Sequence, residues 1–367
     1  MVYNWQQKDW PEFRYDLVPL REELLAFAEH FGRIGGLMEG LPDGLETETV
    51  LDLMIAEAMK TSEIEGESLE YGDVMSSIRN RLGLNPSPEP VKSRLAKGAG
   101  ELMVAVRESF ADPLDEPTLH EWHEMLLGGS SPLRVGAWRS GSYPMQVVSG
   151  RIDSPTVHYE APPSHQVPRE MEAFIQWFND TVPNGRNPVP DAPVRAAIAH
   201  LYFESIHPYE DGNGRIGRAL SEKALSQGVG APVILSLSKA IEAKRRAYYD
   251  ALQQAQRSNE ISPWIRYFVG MVIDAQCDAE KQITFILKKS KFLQRHGIFL
   301  NERQRKVIHK ILATGPGGFE GGINVRKYLA ITKASKATAT RDLQHLASLG
   351  ALNAIGTGRA TRYEIRL

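Results

Sequence analysis

Only one of the 367 residues, Cys277, is a cysteine, which excludes an intrachain disulfide framework and a cysteine-rich zinc site. No apolar run approaches the ~20 residues of a membrane span, and the start of the chain lacks a signal-peptide profile. Charge of one sign is missing too: 24% of residues are charged, yet the formal net charge is -2. Nothing global therefore marks a nucleic-acid or membrane partner. No Gly-Lys pair occurs anywhere, so a Walker phosphate loop is excluded. These absences predict a cytoplasmic protein without a membrane partner, long enough for two or three domains.

What is present is concentrated in one run, His207-Pro-Tyr-Glu-Asp211-Gly-Asn213-Gly-Arg215-Ile-Gly-Arg218. Its glycines let backbone N–H groups approach anionic oxygens, and its arginines can hold phosphates by forked hydrogen bonds. Asp211 suits a hard cation, and His207 is of the residue type that exchanges protons near neutrality. A structural turn needs Asn-Gly or Asp-Gly but not the histidine and both arginines. Gly212, Gly214 and Gly217 also satisfy the spacing of a dinucleotide fingerprint. That motif must follow a buried strand, whereas Ala196 to Ile206 has helical apolar spacing.

The fold class predicted is mainly α. Residues 1–95 form an N-terminal arm, aromatic at Tyr3, Trp5 and Trp10, followed by helices over 20–37 and 47–64. The stretch 84–90 is a proline-rich break. Residues 96–290 are helical, including one long helix over 238–256. A β-hairpin interrupts them between about 136 and 163. Residues 298–367 read as three helices and a hairpin, the order of a winged helix-turn-helix.

The central run resembles the signature of the Fic family, His-x-Phe-x-Asp/Glu-Gly-Asn-Gly-Arg-x-x-Arg, with Tyr209 in place of the aromatic Phe. The resemblance implies a helical Fic core in which the signature joins two helices at a nucleotide-binding loop. It implies protein adenylylation: AMP moves from ATP to a Ser, Thr or Tyr hydroxyl of a target protein. His207 would take the hydroxyl proton, and Asp211 would hold magnesium. Asn213 would orient the α-phosphate, with the backbone at Gly212 and Gly214 as an anion hole. Arg215 would meet the β-phosphate and Arg218 the γ-phosphate. Physical reasoning agrees with this division, since such transfers ask for in-line positioning, charge neutralisation and a base.

Thr61-Ser-Glu-Ile-Glu65-Gly66 resembles the family's inhibitory pattern, Ser/Thr-x-x-x-Glu-Gly/Asn, of the class whose inhibitory helix is N-terminal. Thr61 and Glu65 share one helix face. The resemblance implies that Glu65 pairs with Arg218 and occupies the γ-phosphate position. The hairpin resembles the family's flap, with Gln146, Val147 and Val148 docking the target as an added strand. Arg139, three residues after Gly136, stands where the family opens that flap. Tyr248 and Tyr249 are candidates for contact with adenine.

Other histidines weigh less. His120-Glu121-Trp122-His123 lacks the four-residue spacing of a zinc-protease helix and reads as packing, as does His200. In the last domain Lys333, Lys336, Arg341, Arg359 and Arg362 are compatible with phosphate contacts. The tally is modest and the helix carries Asp342, so DNA binding through 298–367 is not favoured over protein docking. Alternatives to AMP transfer are removal of AMP, transfer of another phosphate-containing group, or a DNA-binding regulator with a Fic sensor core. A homodimer that modifies itself is compatible with the resemblance.

Overall fold

The computed structural model describes residues 2–128, 133–151 and 154–367. They form two compact units, one of Met1–Gly32 with Val50–Cys277, the other of Arg33–Thr49 with Asp278–Leu367. The chain is mainly helical, as its apolar periodicity predicts.

Helix α1 spans Arg21–Glu39, α2 Leu45–Ile64, α3 Tyr71–Arg81, α4 Arg94–Glu108 and α5 Glu116–Leu127. Ser93 and Asp115 start α4 and α5 by accepting the N–H groups of Ala96 and Thr118, which would otherwise lack partners. The proline-rich 84–90 stretch has no regular element. Its end is tied to α3, since the Asn80 amide both accepts the Glu89 N–H and donates to the Glu89 carbonyl.

Strands β1 (Gln146–Arg151) and β2 (Ser154–Glu160) pair antiparallel with Gln146 opposite Glu160 and a register slip between Val147 and Val148. The expected hairpin is therefore present, although its turn at 152–153 lies outside the described residues. Helix α6 (Val167–Asp180) precedes the central pair, α7 (Ala192–Ile206) and α8 (Asn213–Val229). Every residue of α7 is buried, which fits its apolar circumference. Its Arg195 is accommodated by donating to the carbonyls of Phe178 and Ala224 and to Thr181 Oγ1. Burial lowers that guanidinium to about 10.

The single helix expected over 238–256 is instead two, α9 (Leu237–Ala243) and α10 (Arg245–Ala255), broken at Lys244 with φ -130° and ψ 32°. Ser236 caps α9, while Arg245 at the start of α10 donates to the Ile64 carbonyl, so tertiary partners override the helical pattern. Helix α11 runs from Ser262 to His296.

In the second unit, α12 (Glu302–Leu312) opens with a reciprocal capping box between Asn301 and Gln304. Helices α13 (Val325–Thr332) and α14 (Lys336–Ser348) follow, then the antiparallel pair β3 (Leu352–Ile355) and β4 (Arg362–Ile365). Val307, Ile308, Tyr328, Leu343, Leu346 and Leu352 form the core. Asp342, read from sequence as opposing a phosphate surface, is buried inside this unit. Its carboxylate accepts from Arg303, from the Tyr328 hydroxyl and from Asn301.

Candidate active site

The site is built where α7 stops and α8 begins. His207 closes α7 in the left-handed region at φ 51°, a conformation that costs a non-glycine residue free energy. Surrounding groups hold it there. Arg139 Nε donates to the His207 carbonyl at 2.7 Å and its Nη2 to Pro162 O at 2.6 Å, while its backbone N–H donates to Pro208 O at 2.9 Å. Burial lowers the Arg139 guanidinium to about 10. Gly212, at φ 83°, is the residue from which α8 starts, and a side chain there would be strained.

Asn213 spends its amide on the loop, accepting the Tyr209 N–H and donating to the Tyr209 carbonyl, both at 2.9 Å. Tyr209 is fully buried, stacked on His123 at 4.0 Å, and its hydroxyl lies 3.1 Å from His120 Nδ1. The extra hydroxyl relative to the family's phenylalanine thus has a partner. His123 accepts the Gly136 N–H at Nδ1, which leaves its proton on Nε2 to donate to the Asp211 carbonyl. Asp211 Oδ1 accepts the Gly212 N–H at 2.6 Å, and Oδ2 lies 3.5 Å from Arg215.

Both arginines are buried and both meet carboxylates from the end of α2. Arg218 donates to Thr61 Oγ1 at 2.7 Å, to the Thr61 carbonyl at 3.0 Å and to Glu65 Oε1 at 2.7 Å. Burial pushes the Arg218 guanidinium down, but Glu65, Tyr248 and Glu204 more than offset this and hold its pKa above the usual value. The Glu65 carboxylate lies directly over the start of α8: a Cβ on Gly214 would come 2.3 Å from Glu65 Oε1. Arg215 donates to Glu67 at 2.8 Å, a contact absent from the sequence expectation.

A cleft of about 530 Å³ brings His207, Gly214, Arg218, Glu65, Tyr248 and Tyr249 together with Val147 and Val148 of β1. That volume lies in the usual range for small-molecule sites. Tyr248 is buried and its hydroxyl is 2.6 Å from His200 Nε2, whereas Tyr249 is 40% exposed and offers an open ring face. Burial raises both phenols. Gln146 points its amide at Glu160 and does not line the cleft. Gly66 follows Glu65 at φ 86°, where its lack of a side chain ends the helix turn without strain. Glu67, His123 and Arg139 meet Arg215, the Asp211 carbonyl and the His207 carbonyl across 148, 88 and 68 positions of sequence, so local spacing gives no signal for the pairs they form.

A helical pair joined by a glycine-rich loop, with His207 and Arg218 facing one cleft, defines a candidate phosphate-handling site. Comparison with known proteins shows what this region is similar to. Residues 113–225 match the Fic/DOC family, and residues 3–84 match a domain of unknown function, DUF4172. The chain carries a Fic domain.

It is 26% identical over 219 residues to protein adenylyltransferase Fic of Nematostella vectensis, covering 59% of this chain and 46% of that protein. It is 29% identical over 156 residues to protein adenylyltransferase fic-1 of Caenorhabditis elegans, covering 42% and 27%. The chain thus matches less than half the length of these curated relatives. A Fic family protein from Desulfovibrio desulfuricans shares the fold at TM-score 0.51 and 20% identity, over 93% of this chain and 96% of that one. A Fic domain containing signaling protein from Bacteroides thetaiotaomicron does so at TM-score 0.54 and 19% identity, over 71% and 97%.

Proposed function

We propose that this chain transfers AMP from ATP to a hydroxyl side chain of a protein, and that Glu65 holds it inactive. The observation that carries the reading is the convergence of His207, Gly214 and Arg218 on one cleft beside the β1 edge. The free N–H groups and dipole at the start of α8 favour an anion there. Arg215 and Arg218 would neutralise the outer phosphates, and Tyr249 would pack on the adenine. His207 takes the proton of the hydroxyl while its oxygen bonds the α-phosphorus. The bond from that phosphorus to the β-phosphate bridging oxygen breaks, and pyrophosphate leaves. Strand β1, with Gln146, Val147 and Val148, would align the target peptide as an added strand.

Asp211 fits a magnesium ion, because its side chain is half-exposed at the loop and such ions take one or two carboxylates with phosphates and water. Among the described residues no cluster of three or more potential ligands forms a protein-only cage. Asp211 would hold magnesium there, and the ion would offset the charge of the phosphates.

In the proposed resting state Glu65 accepts the Arg218 hydrogen bonds that the γ-phosphate needs, with Thr61 fixing the same guanidinium from behind. Glu67 adds a second hold on Arg215. Residues 1–95 would be regulatory and 96–290 catalytic. The test uses ATP labelled at either the α- or the γ-phosphate with the Glu65→Gly chain. Retention of the α-label alone supports AMP transfer, and retention of the γ-label overturns it in favour of phosphate transfer.

A second reading concerns the last domain alone. Residues 298–367 hold 12 Lys and Arg against 4 Asp and Glu, although the whole chain is at -2. With Asp342 turned inward, Lys336 and Arg341 stand exposed on α14, as a helix that meets duplex phosphates requires. We propose nucleic-acid binding as an accessory property of 298–367. Binding of the full chain to a fluorescent duplex that weakens steeply with salt supports it, and no binding at low salt overturns it.

A further inference from the structure

Glu204 lies one turn before His207 at the end of α7, and its role is not explained by packing. It is 5% exposed, and its Oε1 has no hydrogen-bond partner among the described residues. A buried carboxylate without a partner costs several kcal/mol in general, so folds rarely keep one without a use. Arg218 is close enough to influence it but donates its hydrogens to Thr61 and Glu65 instead. One other buried polar atom nearby is also unpartnered, His207 Nδ1, which stands 3.6 Å from Glu204 Oε2.

His207 Nδ1 and Glu204 Oε2 are separated by a gap slightly longer than a hydrogen bond, and a small ring rotation closes it. The His207 backbone is already fixed by Arg139, so the imidazole torsion is the remaining freedom. A third feature keeps the carboxylate in place. A Cβ on Gly217 would lie 2.6 Å from Glu204 Oε1 and 3.3 Å from His200 Cε1, so this glycine vacates the space that Glu204 occupies.

We propose that Glu204 is the positioning residue for His207, accepting its Nδ1–H so that Nε2 keeps its lone pair toward the cleft. This rests on the reading of His207 as the base. In that reaction the hydroxyl proton passes to Nε2, and Glu204 then faces an imidazolium whose charge it balances. The carboxylate does not take the proton itself. The arrangement is that of a general base oriented by a third group.

The test has a readout independent of transfer. Nitrogen-15 spectra of histidine-labelled full-length chain, above the pH where imidazoles are neutral, report which ring nitrogen carries the proton. The expected result is protonation of His207 at Nδ1 in the wild type and a shift of the proton toward Nε2 in Glu204→Met. Gly217→Ala, whose Cβ would lie 2.6 Å from Glu204 Oε1, displaces the carboxylate and is expected to give the same shift, with its folding checked by circular dichroism. A proton on Nε2 in the wild type, or no change in either variant, overturns the proposal.

In a Glu65→Gly background, Glu204→Met is expected to lower kcat for label transfer about 10- to 100-fold with little change in KM for ATP, and Glu204→Asp to recover part of it. If the tautomer shifts but His207→Ala leaves transfer intact, the base reading has failed while the positioning contact stands.

Discussion

Replacing Glu65 by glycine separates the two states that the site can adopt. The Glu65–Arg218 contact is a charge-assisted bond of 2.7 Å between a buried guanidinium and a carboxylate whose side chain is 30% exposed. Bonds of this type contribute about 1.5–3 kcal/mol, and the exposure of Glu65 places this one at the lower end, about 1.5–2 kcal/mol. A competitor of that strength for the γ-phosphate raises the apparent KM for ATP by roughly 10- to 30-fold. The Glu65→Gly chain should therefore reach half-maximal transfer at an ATP concentration lower by about that factor. Thr61 keeps Arg218 in place from behind, so the arginine should not wander once released. Initial rates over an ATP series, scored by α-label retained on protein, provide the measurement. Equal half-saturation and equal maximal rates for both chains would refute the competition argument.

Four further outcomes are expected. Glu67→Gln should add a smaller activation to Glu65→Gly, about two- to fivefold in kcat/KM for ATP, because it frees Arg215; the same ATP series checks this. Gly214→Ala should push the Glu65 carboxylate off Arg218, since its Cβ would fall 2.3 Å from the carboxylate oxygen, and so tighten ATP binding; calorimetric ATP titration reads it. Tyr209→Phe should cost about 1 kcal/mol of stability by deleting the bond to His120 without abolishing transfer, as read by urea unfolding.

Glu222, facing Glu57, is pushed up by burial and that charge from 4.5 to about 8. A raised carboxyl contributes stability that is full below its unfolded value and is lost as pH rises toward 8. Allowing for its partial solvent contact, the loss should be about 2 kcal/mol between these limits and smaller in Glu222→Gln, checked by unfolding at several pH values.

The loop 207–218 was legible because everything it contributes is contiguous, and the residues read from it fall on the α7–α8 junction. The hairpin was legible from its paired apolar runs. The carboxylate of Glu67 was not, since its meaning depends on α2 arriving at Arg215 from 148 positions away. The same holds for His123, which read as helix packing and in fact carries the Asp211 carbonyl. Arg139 read as a landmark of the hairpin, whereas its fork holds the strained His207 backbone. The break at Lys244 escaped the periodicity because both flanking segments keep helical spacing, and the partners that divide them lie elsewhere in the chain. Asp342 shows the reverse error: its charge counted against a phosphate surface until burial removed it from that surface.

The central claim, a His207-driven AMP transfer restrained by Glu65, is tested most directly by α-labelled ATP. It would be given with magnesium to the wild type, Glu65→Gly and Glu65→Gly/His207→Ala. The account predicts strong label on protein for Glu65→Gly, little for the wild type and none for the double variant. Equal label in all three, or none in Glu65→Gly while ATP still binds, would contradict it.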